Sequence, residues 1–281
     1  MEEHEVLESF ETQRWLQQRQ RTGNWIDVAE TDEIPSDIVG WKRSILHMFQ
    51  IAFAPEIRRR LSIKELGDDF FLSSAQLIQP PDGEDEVRLN EEIRGLALVR
   101  AERTVHKGDP VLLPDLKGFV SFGLSDDELD AAHFTMLWNG SGWILSFDFR
   151  SGRAKCGDML VAARQFLETS KQAASKEYER PSVDNLFSAC ELVSKAHLVL
   201  HRNPATSLKK HRAVKNEINR WRRYGNVNEQ FVRLFNRISE ERSPARYDPA
   251  ARVQLPSQSD FQVVAREIDE LMESVAPRVD R

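Results

Sequence analysis

The chain has 281 residues, a formal net charge of −6, 40% hydrophobic residues and two cysteines. That apolar content suffices for real cores and excludes wholesale disorder, and no apolar run approaches the roughly 18–20 residues of a spanning helix. Cys156 and Cys190 are too few for a disulfide scaffold and lack zinc-finger spacing. With the acidic opening MEEHEVLESF, which has no signal pattern, they lead to the expectation of a reduced, cytoplasmic protein of one large or two ordinary domains, not associated with a membrane.

The expected fold class is α+β: an N-terminal helix and linker over 1–40, an α+β domain over 41–150 and a helical bundle over 151–281. Val6, Leu7, Phe10, Arg14 and Trp15 fall near helical spacing, and a loop with Pro35 follows. Residues 41–54 predict a buried helix, and Pro55 and Glu56 open a short basic one with Arg58, Arg59 and Arg60. FFLSSAQLI, EIRGLALVRA and PVLLPDL read as strands, with QPPDGEDE a turn-rich loop between the first two. HFTMLW–NGSG–WILSFDF predicts a hairpin turning at Asn139–Gly142. Its alternating Phe134, Met136, Trp138, Trp143, Leu145, Phe147 and Phe149 read as core, with a stacking platform for bases as the alternative.

After Arg150 the period becomes helical. Residues 154–176 predict a helix with Met159, Ala163, Phe166 and Leu167 inward. SVDNLFSACELVSKAHLVLH is apolar around most of its circumference and reads as a central helix. HRAVKNEINRWRRYG predicts a third, stopped near Gly225; Asn226, with Glu229 three residues on, reads as the cap of a fourth. The fourth buries Val227, Phe231, Leu234, Phe235 and Ile238, and the fifth buries Phe261, Val264, Ala265, Ile268, Leu271, Met272 and Val275. Short connections between such helices predict an antiparallel bundle.

The average charge hides an asymmetry. Residues 151–281 hold 23 Lys and Arg against 17 Asp and Glu, a net +6, while residues 1–150 hold 16 against 28, a net −12. From Arg202 to Arg246 there are 12 basic and 4 acidic residues, a block that suits an anionic partner or simply a solvated surface. The acidic part reads as a sensor or partner-binding module, or as an electrostatic cover for the basic one.

Motifs for several chemistries are missing from the sequence: no GxxxxGK[ST], GxGxxG, HExxH or GxSxG. His197 and His201 have metal-ligand spacing on a helix but no acidic third ligand, so neither metal nor cofactor is expected. Arg242 continues the face of Phe231, Phe235 and Ile238 at steps of four, three and four. A guanidinium directed inward requires an anion. The candidates are Glu191, a phosphate, or the carbonyls at the helix end, which Pro244 is expected to terminate.

SVDNLFSACELVSKAHLVLH, a basic third helix, then GNVNEQFVRLFNRISEERSPARYDP resemble, in that order, the HEPN superfamily of helical bundles, over roughly residues 155–276. The resemblance implies an up-and-down bundle of four or five helices that dimerises. It also implies an RNA-directed role: metal-independent ribonucleases of toxin–antitoxin, CRISPR and antiphage systems, or RNA- or nucleotide-binding and assembly modules without turnover. The family signature, Arg-x4–6-His at the end of the fourth helix, is met by Arg242 in its first half, but after four residues Tyr247 stands in the histidine position. Arg100 and His106 also have the spacing, but in the strand-rich region, where it is discounted as a chance match. Tyrosine, with an ordinary pKa of about 10, is a poor base near neutrality, so a nuclease would need another base, such as His201 or His211 from the nearby basic loop, or an unusual shift on Tyr247. The resemblance thus marks Arg242 and Tyr247 as catalytic candidates. Arg246, Glu191, Lys195, Lys209, Lys210, His211 and Arg212 become candidates for binding RNA or nucleotide, with Glu191 orienting Arg242 or simply pairing with Lys195.

Overall fold

The computed structural model describes residues 41–67, 69–110, 115–138, 143–203 and 211–276. The expected helix around Val6–Trp15, the linker with Pro35, the hairpin turn Asn139–Gly142, and Lys209 and Lys210 lie outside the described residues. The chain divides into two units between Phe149 and Arg150.

In the first unit, α1 (Trp41–Ala52) runs into α2 (Ala54–Ser62). Pro55 sits in the first turn of α2, where its missing N–H breaks no helical bond. Six strands follow: β1 (Ser74–Gln79), β2 (Glu86–Leu89), β3 (Leu96–Ala101), β4 (Leu116–Gly123), β5 (Ala132–Trp138) and β6 (Trp143–Asp148). They form an antiparallel sheet in the order β2-β1-β5-β6 and a separate β3-β4 ribbon. The predicted hairpin is β5-β6, with Trp138 opposite Trp143 and Phe134 opposite Phe147. Phe49, Phe53 and Ile57 from the helices pack on Leu72, just before β1, and on Ala75, Leu89, Phe134 and Met136 of the sheet. The rings of Phe53 and Phe134 stack at 5.5 Å.

Three expectations fail in this unit. Phe147 and Phe149 are not core: β6 is the outer strand, and the two rings are 58% and 47% exposed, stacked on each other at 5.3 Å. Alternation reports which side a residue faces, not whether anything covers that side. The end of the predicted loop QPPDGEDE opens β2, which escaped notice because its inward residue is charged. Arg88 is buried between Glu86, at 2.8 Å, and Glu128. Two strands start later than predicted: β1 begins at Ser74, and β3 begins at Leu96 after a 3-10 turn at Asn90–Glu92. β4 runs on past PVLLPDL to Gly123, with residues 111–114 outside the described residues.

A second buried cation ties the helices to the sheet. Arg60 donates to Glu56 at 2.8 Å, to Glu92 at 2.6 Å and to the Val87 carbonyl at 2.9 Å. A hydrogen bond from Arg59, with help from Arg60 and against the effect of burial, holds the Glu56 carboxyl down at about 2. A carboxylate depressed on folding stabilises above its unfolded pKa and loses that contribution as pH falls through the folded value. We expect Glu56→Gln to lower the thermal midpoint of the full chain at pH 7, and the gap from wild type to narrow as pH falls from about 4.5 toward 2. Calorimetry at a series of pH values measures this.

The second unit consists of α3 (Arg153–Ala174), α4 (Glu179–Leu200), α5 (His211–Arg223), α6 (Glu229–Tyr247) and α7 (Gln258–Val275) around one apolar core. The central helix is α4, with Val183, Leu186, Phe187, Cys190, Val193, Leu198 and Leu200 all buried. It starts at Glu179, ahead of the predicted boundary, because Pro181 is acceptable in a first turn. The faces of α6 and α7 match their stripes: Phe231, Phe235, Ile238, Phe261, Val264 and Ile268 are buried. In α3 the inward register is Cys156, Leu160, Ala163 and Leu167; Phe166, expected inward, is 39% exposed.

Turn chemistry revises two boundaries. Gly225 adopts φ 76° and ends α5, with Asn226 N–H bonded to the Trp221 carbonyl at 3.1 Å and Gly225 N–H to that of Arg222 at 3.0 Å. Asn226 therefore closes α5, and the cap of α6 is Asn228, whose side chain accepts from the Gln230 and Phe231 amides. At the other end α6 does not stop at Pro244 but continues to Tyr247. The histidine pair is split as well. His197 meets the buried Glu267 of α7 at 2.7 Å, and His201 meets the Trp221 ring edge-on at 5.1 Å. Among the described residues no helix is long and apolar enough to cross a membrane.

Candidate functional site

Around α4 most positions are apolar and covered; the part-exposed Asp184 and Lys195 and the buried Phe187 and Glu191 follow one another at steps of three, four and four. The C-terminal end of α6 and the first turn of α5 meet this stripe. The Arg242 guanidinium lies over the Phe187 ring at 4.2 Å and donates from Nε to Asp184 at 3.1 Å. The Arg242 Nη groups donate to nothing among the described residues. Arg246 approaches the other oxygen of Asp184 at 3.9 Å. The His211 ring meets the same Phe187 edge-on at 5.9 Å, and its Nδ1 hydrogen-bonds to Glu191. Glu191 also receives Lys195 at 3.0 Å.

Glu191 is therefore not the partner of Arg242. That role belongs to Asp184, two turns earlier on the same face of α4. Glu191, 11% exposed, is balanced by Lys195 and His211. Nor is Arg242 buried: its side chain is 24% exposed, so one side is held and the other is open.

Of the sequence-derived candidates, Arg242, Arg246, Glu191, Lys195 and His211 come together around Phe187 and Asp184. Tyr247 ends α6 with 75% exposure, and the Arg246 guanidinium sits 5.9 Å from its ring centroid. Arg212 is exposed and has no carboxylate partner among the described residues. Sequence reasoning missed Asp184, Phe187 and Arg180. Asp184 was detectable as the acidic residue seven positions before Glu191; Phe187 looked like ordinary core.

Arg180 holds the end of α6, beyond the helical bond to the Glu240 carbonyl that Pro244 removes. Arg180 Nη1 donates to the Pro244 and Ala245 carbonyls at 3.3 and 2.8 Å, and Nη2 to those of Pro249 and Ala251, both at 3.0 Å. One guanidinium thus satisfies the helix end and its exit loop, leaving Arg242 and Arg246 free of that work.

No family model and no curated protein matches the chain.

We expect Arg180→Met to destabilise the chain by about 1–3 kcal/mol through the unmet carbonyls and to loosen the last turn of α6. Denaturant unfolding measures the first effect, and hydrogen exchange at Ala245–Asp248 the second.

Proposed function

We propose that the second unit is a HEPN-type module that binds RNA, working as a homodimer, with the first unit as its sensor or partner-binding part. One observation carries this reading. A single aromatic ring, Phe187, positions a guanidinium and an imidazole, each oriented by its own carboxylate. The open Nη donors of Arg242, with Arg246 beside them, suit a phosphodiester. Glu191 on Nδ1 selects the tautomer that leaves Nε2 of His211 as an acceptor, and Nε2 bonds to nothing among the described residues. In this reading His211 takes the proton of a ribose 2′-hydroxyl while Arg242 holds the adjacent phosphate, so the base that the Arg-x4-Tyr motif lacks comes from α5.

A second reading, RNA or nucleotide binding without turnover, draws support from Tyr247. It occupies the histidine position of the family motif, faces solvent, and has no basic nitrogen.

With a fluorescent single-stranded oligoribonucleotide, Arg242→Ala is expected to weaken binding at least tenfold and to lower the slope of log affinity against log salt by about one. His211→Gln is expected to abolish cleavage while leaving binding within a few-fold of wild type. Wild-type binding with no cleavage selects the second reading; no binding by wild type overturns both.

A further inference from the structure

The opposite end of α6 carries a second basic concavity, about 26 Å from Arg246 at the helical rise of 1.5 Å per residue. A cavity of about 760 Å³ is lined there by Arg222 and Arg223 from the end of α5, Gly225 and Asn228 from the turn, and Arg266 from α7. None of these three arginines has a carboxylate partner among the described residues, and Arg223 and Arg266 are exposed. One carboxylate lines the cavity, Glu229, and it is engaged by Arg233 at 2.8 Å. The first amides of α6 already donate to the Asn228 side chain, so the guanidinium groups, and not the helix end, are the binding elements.

Three arginines line this concavity against one carboxylate that Arg233 engages, and closing the helices does not require them: α5 is closed by Gly225 and α6 is capped by Asn228. The volume exceeds what one oxyanion fills and suits two or three linked phosphates. Tyr224 stands in the same turn, 68% exposed, and stacks on no ring of the described residues. An exposed aromatic beside paired guanidinium groups is the arrangement that holds a base next to its phosphates.

We infer that this cavity is a phosphate subsite, with Arg222, Arg223 and Arg266 gripping the linked phosphates of a nucleotide or nucleic-acid strand and Tyr224 stacking on its base. The inference does not rest on the Arg242 reading, since the two sites share only the rod of α6.

The test titrates the full chain with inorganic pyrophosphate, a nucleoside triphosphate and a single-stranded oligoribonucleotide. The wild type is expected to bind at least one of them, and Arg223→Gln with Arg266→Gln to weaken that binding at least tenfold. Tyr224→Ala is expected to weaken the base-bearing ligands and leave pyrophosphate unchanged. The tighter of the two base-bearing ligands identifies the source of the phosphate. Should the double variant unfold, Arg223→Lys, which keeps the charge and loses the planar fork, is expected to bind at least threefold more weakly. Loss of pyrophosphate binding in the Arg223 and Arg266 variants, neither of which contributes to the site at Arg242, separates this site from the other. Absence of binding for all three probes, or wild-type affinity in the arginine variants, overturns the inference.

Discussion

A helix that is apolar around most of its circumference must be covered on most sides, and α4 imposes this requirement on the second unit. Its buried residues do not form a stripe but run right around, from Val183 to Leu200. The remaining helices assemble about one continuous core in response. Asp184, Phe187, Glu191 and Lys195 fall on a single line at the margin of this buried surface, and the candidate site is built on that line. Site and core are thus two consequences of one sequence pattern.

The chemistry of that line depends on compensation. Asp184 and Glu191 lie two turns apart; Asp184 is met by Arg242 and Arg246 of α6, and Glu191 by Lys195 of α4 itself and by His211 of α5. The Phe187 ring between them is buried against Phe235 and yet meets the Arg242 guanidinium and the His211 ring. Pinning a guanidinium against a ring costs part of its hydration and limits its rotamers, which prepares it for an anion before the anion arrives. The arginine that ties down the carbonyls at the end of α6 is Arg180, not Arg242. That division of labour is what leaves Arg242 partly open.

The first unit solves a similar problem with similar means and no comparable opening. Arg60 and Arg88 are buried and satisfied by carboxylates and a carbonyl drawn from helix, strand and loop. Both guanidinium groups are engaged at Nε, Nη1 and Nη2. The contrast separates two uses of arginine in one chain: a cation surrounded by acceptors acts as a fastener, while a cation held on one side only remains able to bind.

Periodicity and local turn chemistry determined much of this protein from the sequence alone: the α+β class, the β5-β6 hairpin, the five helices after Arg150, the stop at Gly225 and the inward faces of α6 and α7. These depend on neighbours within a few residues, where the physics is short-ranged. Other features were decided only by tertiary structure. Which carboxylate meets Arg242, whether Phe147 is covered, why β2 can carry an inward arginine and what holds the carbonyls at the end of α6 each turn on groups far apart in the chain. Asp184 is 58 residues from Arg242, and Arg180 is 64 residues from Pro244. Long-range pairings of this kind leave no period in the sequence, because an ion pair or a carbonyl cap constrains two positions and nothing between them.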